Sequence, residues 1–545
     1  MEKWSRPRFS ITIIVSSLFC FFCISIPQAN SQPPSPENFL RCLDKQPSDA
    51  GRPNSAAAVV PTNSTFPTML LNYVRNLRFA SPTTRKPEAI VAAESETQIR
   101  AVIACCKAMD LELRIRSGGH DYEGFSYVSP VPFVVLDMYN FRRIDIDMET
   151  DSAWIQAGAT LGELYYNIAD KSEVRGFPAG VCPKVGAGGH FSGGGFGNMM
   201  RKYGLSVDHI VDAKIMDANG KIYDRRSMGE DVFWAIRGGG GGSYGVILAW
   251  KIMLVPVPEK VTVFKLEKTV GNGAVDLVWK WQFIAPRIDR DLFIRLEIKP
   301  VNRNRTGGKT IKVSFIGMFL GLPDRLMSIT NRSFPELGLK KSDCMVMKWV
   351  RSALFWANYP LAAPSSILLK RVSTNEYYWK RTSDFVNRPI SKPGLVNIFK
   401  KMIDLSPFPR RVWMQWNPYG GKMSEIPSDS TPFVHRSGEI FMIEHFMNWY
   451  EPGEGLAEKF IGISRRFREE MAPYVSKNPR EAFFNYRDVD IGTTMTGANS
   501  NSTYGAAKVY GVKYFKGNFE RLVKVKTRFD PENFFRSQQG IPVLS

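Results

Sequence analysis

Three short stretches carry residue types that could hold a large polar group and react with it. They are "RSGGHDYEG" (Arg116 to Gly124), "GAGGHFSGGGFG" (Gly186 to Gly197) and "RGGGGGSYG" (Arg237 to Gly245). Glycine lets backbone N–H groups approach a ligand closely, and adjacent N–H groups form a nest for phosphate oxygens. One such loop says little; three within residues 116–245 point to a diphosphate-bearing cofactor. The first loop offers Arg116, Ser117, Gly118, Gly119 and Asp121, and the third offers Gly240, Gly242, Gly245 and Val246. The second offers Gly186, Gly188, Gly189, His190, Ser192, Gly193, Gly194 and Gly195. Gly240, Gly242 and Gly245 match the dinucleotide spacing G-x-G-x-x-G. A strand-like "VILAW" follows them, however, not the helix that would receive a pyrophosphate.

Two nucleophilic side chains accompany these loops. His120 sits behind two glycines, and Cys182 lies just before the second loop in "FPAGVCPKVGAGG". Taken alone, His120 reads first as a loop histidine bonded to a neighbouring strand, and Cys182 can equally be a small buried hydrophobe. No Walker pattern occurs, and His120, His190, His209, His435 and His445 are too dispersed to predict a metal site.

The elements that must position these residues follow from periodicity. "EAIVAA", "SETQIRAVIACCKAMD" and "LELRIR" predict strand, helix and strand, with Ser95 as the helix N-cap. "FVVLDM" and "AWIQAGA" predict strands, "TLGELYYNIAD" a helix, and Asn219-Gly220 a hairpin inside "VDAKIMDANGKIYD". From about residue 260 the pattern changes. "VTVFKLEKTV", "DLFIRLEIKP", "TIKVSFIGMFLG" and "FMIEHFMNWY" predict an antiparallel sheet. "VDLVWKWQFIA", "GLVNIFKKMIDL" and "LAEKFIGISRRFREEMAPYV" predict helices covering it, which makes this part α+β. The last stretch, from about 480, is again rich in glycine and aromatics.

The 545 residues exceed one ordinary core, so more than one domain is expected. Lys3, Arg6 and Arg8 precede the apolar run "SITIIVSSLFCFFCISI" and small residues near Ala29, the pattern of a secretory signal peptide over 1–29. A signal anchor is the competing reading, and Pro27 with the small polar residues after it favours cleavage. No other segment is apolar for long enough to span a bilayer, so no stable membrane association is expected. Export leaves Cys42, Cys105, Cys106, Cys182 and Cys344, an odd number, so one disulfide and at least one uncommitted sulfur are expected. Sequons at Asn63, Asn304, Asn331 and Asn501 become glycan sites in that setting. The net charge is +20, but lysines and arginines are scattered among acids, as in "SRRFREE". That argues against nucleic acid and for a basic surface suited to acidic polysaccharide or an acidic lumen.

"RSGGHDYEG", "AGATLGELYY", "GVCPKVGAGGHFSGGGFG", "MGEDVFWAIRGGGGGSYGVI", "NPYGGKM", "PFVHRSG" and "NYRDVDIG" occur in this order. Together they closely resemble the berberine bridge enzyme family, which includes reticuline oxidase and the cannabinoid-forming oxidases, over essentially the whole mature chain. The resemblance implies an α+β FAD-binding domain of two α+β subdomains, of the vanillyl-alcohol-oxidase (PCMH) type. A substrate domain with a helix-covered antiparallel sheet would complete it. On this chain the expected parts are 30–82, 83–257 and 480–545 for the FAD domain and 258–479 for the substrate domain. It also implies FAD attached twice, His120 to the flavin 8α carbon and Cys182 to C6, with Asn485 among the cofactor contacts. Cys42 and Cys105 would form the family's disulfide, leaving Cys106 and Cys344 free.

An oxidase needs a base to take a proton while hydride leaves for the flavin. The resemblance nominates Tyr486 as base or phenolate stabiliser and Tyr122 as its helper. It nominates Glu444 as a carboxylate base where many plant members carry glutamine. Strand period puts Met442, Glu444 and Phe446 on one face, and many members have lysine at the Met442 position. Its absence here weakens the case for an ionised Tyr486. Arg295 and Glu297 share a strand face, and with Gln415, Trp416 and Asn417 they are further pocket candidates. Val185, three residues after Cys182, is the small residue that in this family leaves room for dioxygen.

The expected activity is therefore a secreted FAD-linked oxidase for a phenolic or alkaloid-like plant metabolite, with oxidative ring closure as one outcome, that passes electrons to O2. Oxidation of oligosaccharides or monolignols is the alternative on the same scaffold. From other classes, a non-redox cyclase retaining FAD as a structural element and a binding-only protein stand beside it.

Overall fold

The computed structural model describes Met1 and residues 34–49, 51–303, 307–372, 377–406, 411–494 and 503–544. The expected signal peptide beyond Met1, Asn304 and Asn501 lie outside them.

The first sheet has four strands: β1 (Ala58–Val59), β2 (Ala89–Ala92), β3 (Glu112–Arg116) and β4 (Phe133–Asp137), in the order β1-β2-β4-β3. β2, β4 and β3 run parallel, and the Glu96–Ala108 helix makes the crossover. That helix starts where the Ser95 side chain accepts the Gln98 N–H. A disulfide between Cys42 and Cys105 ties the Pro36–Lys45 helix to it. Cys106 is free and buried; Cys182 and Cys344 are also free.

Next come β5 (Ile144–Asp147), β6 (Ser152–Gln156), β7 (Arg175–Gly176), β8 (Ile210–Met216), β9 (Ile222–Tyr223), β10 (Val246–Met253) and β11 (Val255–Pro256). β7 pairs with β11, and the other five make an antiparallel sheet in the order β5-β6-β10-β8-β9. The predicted hairpin is present, with Gly220 at φ +76° in its turn. A capping box of Thr160 and Glu163 starts the Leu161–Lys171 helix. The third glycine loop leads directly into β10, as its sequence predicts. The second loop departs from expectation, because Ala187–Ser192 winds into a short helix.

The third sheet contains β12 (Val261–Thr269), β13 (Leu292–Asn302), β14 (Lys309–Phe319), β15 (Cys344–Met347), β16 (Tyr378–Val386), β17 (Val412–Pro418) and β18 (Phe441–Trp449). Its order is β15-β12-β14-β13-β17-β18-β16, antiparallel throughout. One face packs on the predicted helices, Ala274–Ile284, Lys392–Leu405 and Glu454–Met471, in a core that includes Trp281, Phe399 and Phe460. Sequence reading missed β16 and β17. β16 reads "YWKRTSDFV", in which adjacent Lys380 and Arg381 break the apolar alternation. The C-terminal stretch forms two further helices, Tyr504–Phe515 and Asn518–Phe529.

β16 is an edge strand whose free side is covered by other segments. Asn76 acts as a partner there, donating to the Trp379 carbonyl at 3.0 Å and accepting its N–H at 3.2 Å. The Phe483 N–H bonds the Ser383 hydroxyl at 2.8 Å. Lys380, 1% exposed, pairs with Glu123, with Asp488 at 2.7 Å and with Asp490 at 3.4 Å. These carboxylates hold its ammonium fully charged, its pKa pushed up to about 12. One side chain thus fixes β16, the loop after β3 and the segment after Phe483 to each other. Replacing one partner of a buried ion cluster strands the others, at a typical cost of about 3–5 kcal/mol. Lys380→Met is expected to lower the urea or thermal unfolding midpoint accordingly, and Lys380→Arg to lower it less.

Candidate active site

A cavity of about 1080 Å³ separates the first two sheets from the third. All three glycine loops line one side of it. At several glycines the protein itself forbids a side chain. A Cβ on Gly118 would lie 2.3 Å from the Gly186 nitrogen, and one on Gly186 would lie 2.0 Å from Ser117 Oγ. These glycines let the first two loops lie on each other. Gly189 and Gly242 differ: an added Cβ would meet no protein atom within 4 Å, and both line the cavity. They leave room for a ligand.

His120 and Cys182 face each other's loops across this cradle, and both line it. The Nε2 of His120 is buried with no hydrogen-bond partner. Burial, reinforced by Arg75, Lys184 and Arg381, holds the imidazole well below its usual pKa, so it is neutral and nucleophilic. Cys182 is exposed at the cavity wall; desolvation by the surrounding protein pushes its thiol up, opposed by the backbone at Lys184 and by Arg75. The Cys182 loop is fixed from behind. Gly180 donates its N–H to His190 Nε2 at 3.0 Å, and Tyr165 donates to the Gly180 carbonyl at 2.6 Å. His190 thus supports the loop, and burial lowers its pKa to about 4. An orphaned nucleophilic nitrogen, a thiol and open glycine positions on one cradle fit a bound flavin nucleotide.

Ser117, Asp121, Tyr122, Val185, Gly188, Ser192, Gly240, Gly245 and Asn485 also line the cavity, as do Arg295, Glu297, Gln415, Glu444 and Tyr486. Asp121 shapes its loop by accepting the Glu123 and Phe125 N–H groups. Asn485 donates to the His190 carbonyl at 2.9 Å. Other nominated residues lie outside the lining. Arg116 is buried against Asp137 at 2.7 Å and bonds the Met69 and Leu70 carbonyls, so it anchors its loop. Gly193 packs on Asn485, and Gly194 and Gly195 take positive φ at a turn. Val246 is buried in β10. Asn417 accepts Arg295 Nε at 2.6 Å, and Met442 is buried in the core behind the site.

The third sheet forms the opposite wall, and its register sets the order of side chains. Glu297, Gln415 and Glu444 form one row across β13, β17 and β18. Trp413, Phe446 and Arg381 form the next, across β17, β18 and β16. Trp413 and Phe446 stack at 3.5 Å. Glu444 is 3% exposed and accepts the Tyr122 hydroxyl at 2.5 Å; Tyr486 also hydrogen-bonds to it. The two phenol rings stack at 5.1 Å, 9° from parallel. Arg381 Nη1 lies 3.8 Å from Glu444 Oε1. Burial raises the Glu444 carboxyl above its usual range, while Arg381, Tyr122, Tyr486 and Arg295 oppose the rise. Burial and the adjacent Glu444 lift both phenols well above the ordinary tyrosine range. Glu444 can accept a proton here; the tyrosines hold theirs.

Arg381, Trp379 and Trp413 were not predicted. The only signal for them was the unrecognised β16 and β17, whose pairing with β18 brings them beside Glu444. The structure also gathers His435, Glu439 and Glu481 within 4.8 Å, away from the cavity lining. Lys516 already lies among these carboxylates, 2.8 Å from Glu481.

A glycine-built nucleotide cradle facing an antiparallel sheet with a buried carboxylate defines an FAD-binding oxidoreductase. A family model described as FAD binding domain matches residues 87–225, and one described as berberine and berberine like matches 482–542. Berberine bridge enzyme-like 16 of Arabidopsis thaliana is 72% identical over 549 residues, covering 100% of both chains. The chain belongs to the berberine bridge enzyme-like family of FAD-dependent oxidoreductases. A solved structure of a berberine bridge enzyme variant matches with TM-score 0.85 and 37% identity, over 93% of this chain and 100% of that one. The grass pollen allergen Phl p 4, which has glucose dehydrogenase activity, matches with TM-score 0.86 and 40% identity over the same shares. An isoleucine-to-valine variant of Phl p 4 is a glucose oxidase.

The two kinds of glycine predict two phenotypes. Gly118→Ala is expected to disrupt the fold, lowering the thermal midpoint. Gly189→Ala is expected to keep that midpoint in the flavin-free protein and to lose bound flavin, read from absorbance per mole of protein.

Proposed function

We propose that this protein is an exported oxidase that takes hydride from a phenolic plant metabolite, with Glu444 as the base. The observation that carries this reading is the buried Glu444 carboxylate, bonded by two stacked phenols that keep their own protons. In this reading residues 30–82, 83–257 and 480–545 form the flavin half and 258–479 the substrate half. His120 and Cys182 attach the cofactor covalently. When bound, the flavin accepts the hydride and passes its electrons to dioxygen, giving hydrogen peroxide.

The chain's own groups divide the remaining work. Trp413 stacked on Phe446 offers a flat apolar wall that orients an aromatic ring. Tyr122 and Tyr486 orient the Glu444 carboxylate, which receives the proton of the substrate hydroxyl. Val185 lines the cavity on the Cys182 loop, and a small side chain there supports access of dioxygen. The Phl p 4 pair, in which valine for isoleucine accompanies oxidase activity, points in the same direction. The Cys42–Cys105 disulfide supports passage through an oxidising compartment. Among the described residues no helix is long and apolar enough to cross a membrane. Asn63 and Asn331 are exposed, as glycan acceptors must be.

Glu444→Gln is expected to lower kcat and kcat/KM together by about 10²–10⁴-fold; a variant with full turnover overturns the assignment. The base must be ionised, and burial raises its pKa. Wild-type kcat/KM should therefore fall with decreasing pH from a point above the ordinary glutamate value of about 4.3, and this limb should vanish in Glu444→Gln. Photoreduced protein mixed with aerated buffer should reoxidise rapidly and yield peroxide; slow reoxidation favours a dehydrogenase. The polar row Glu297–Gln415 and the glucose activity of Phl p 4 favour a sugar as the second reading. A panel of cellobiose, coniferyl alcohol and prenylated phenols separates the two. Turnover without oxygen consumption or peroxide would instead identify a non-redox cyclase.

A further inference from the structure

Among the buried cations lining the cavity, Arg381 stands out for what it does not do. Its side chain is 9% exposed, yet within the described residues its guanidinium forms no hydrogen bond. Rings flank it instead: Phe446 at 4.1 Å, Trp379 at 5.0 Å and Tyr122 at 5.7 Å. Its one ionic contact is Glu444, at 3.8 Å. A guanidinium carries five N–H donors, and those of Arg381 open onto the cavity, where a ligand can reach them. Arg295 is committed by comparison. Its Nε bonds Asn417 at 2.6 Å, and its guanidinium lies over Trp356 at 5.1 Å.

We propose that Arg381 is the oxyanion-binding residue of this site, receiving the substrate's phenol oxygen as Glu444 takes its proton. The assignment rests on the reading of Glu444 as base toward a phenol. The O–H bond of the phenol breaks and its proton goes to the Glu444 carboxylate. The bonding pair stays on oxygen as a phenolate facing Arg381, which remains protonated throughout. Position favours this use. β18 brings no cation to its own carboxylate, since Met442 is apolar and buried. The cation comes from the neighbouring strand, close enough to Glu444 for one hydroxyl to touch both. A preorganised donor aimed where charge develops stabilises the product of proton transfer more than the starting phenol. The other groups facing this point include the phenols Tyr122 and Tyr486, which stay neutral, His120, which burial keeps neutral, and Arg295 two strands away.

4-Nitrophenol tests the assignment without turnover, because its phenol and phenolate forms absorb differently. It is titrated by difference absorbance while bound to the flavin-loaded Glu444→Gln protein, in which residue 444 cannot take the proton. The bound ligand is expected to ionise at least about tenfold more readily than free nitrophenol, a downward shift of about one pKa unit. Adding Arg381→Met should abolish the shift, whereas Arg381→Lys should retain part of it. The lysine variant also shows whether loss comes from charge or from packing against Phe446. Equal ionisation with and without Arg381, or loss of the shift in Arg295→Met instead, overturns the assignment. A cavity that binds no nitrophenol overturns the phenolic reading and this assignment with it. Binding with an unshifted ligand overturns the assignment alone.

Discussion

A single buried ammonium organises this molecule's chemistry. Lys380 projects from one face of β16 into the carboxylates of Glu123 and Asp488, while its neighbours Trp379 and Arg381 line the cavity on the other face. Glu123 follows Tyr122 and Asp488 lies two residues beyond Tyr486. Fixing the two acids therefore fixes the two phenols against Glu444. The arrangement is ionic: three segments distant in sequence meet at one ammonium. A charge withdrawn from water is stable only when its partners are in place, so the cluster also enforces register. Asn76 adds directionality by bonding both backbone groups of Trp379.

That frame allows an unusual distribution of protons. The Glu444 carboxylate, two phenols and a guanidinium converge on one wall of the cavity. Low polarity disfavours every charged form, and the outcome depends on which charges are mutually compensated. Arg381 and the two hydroxyls favour an ionised Glu444, and that negative charge in turn holds the phenols neutral. Arg295 and Arg381 both favour a tyrosinate at Tyr486, but burial and the adjacent Glu444 outweigh them and the phenol keeps its proton. The site is thus poised for a carboxylate to act, with the phenols as its hydrogen-bond donors.

Glycine serves two purposes on the other wall. Where loops cross, as at Gly118 and Gly186, it permits backbone to touch backbone; where the cavity opens, as at Gly189 and Gly242, it clears space for a ligand. Sequence inspection saw only their density. The same inspection nominated Arg116 and Val246 for the cofactor, whereas their burial against protein makes them supports for the loops.

What the sequence determined by itself was whatever local periodicity and short motifs encode. The capped helix after Ser95, the hairpin at Asn219-Gly220, the strand after the third glycine loop and the helix-covered sheet were all legible. So were the glycine loops, His120, Cys182, Tyr122, Tyr486 and Glu444, as residue types carried by recognisable motifs. Tertiary structure alone decided that Lys380 and Arg381, adjacent and both basic, face opposite ways into two buried sites. A pair of neighbouring cations reads as solvated surface, because nothing local reveals the acids or the rings waiting on each side. Apart from Trp379, two residues from Arg381, their partners lie more than 60 residues away along the chain. Only the pairing of β16 with β18 and the return of the C-terminal segment bring those partners within ionic reach, and ionisation in a buried site depends on that proximity rather than on sequence order.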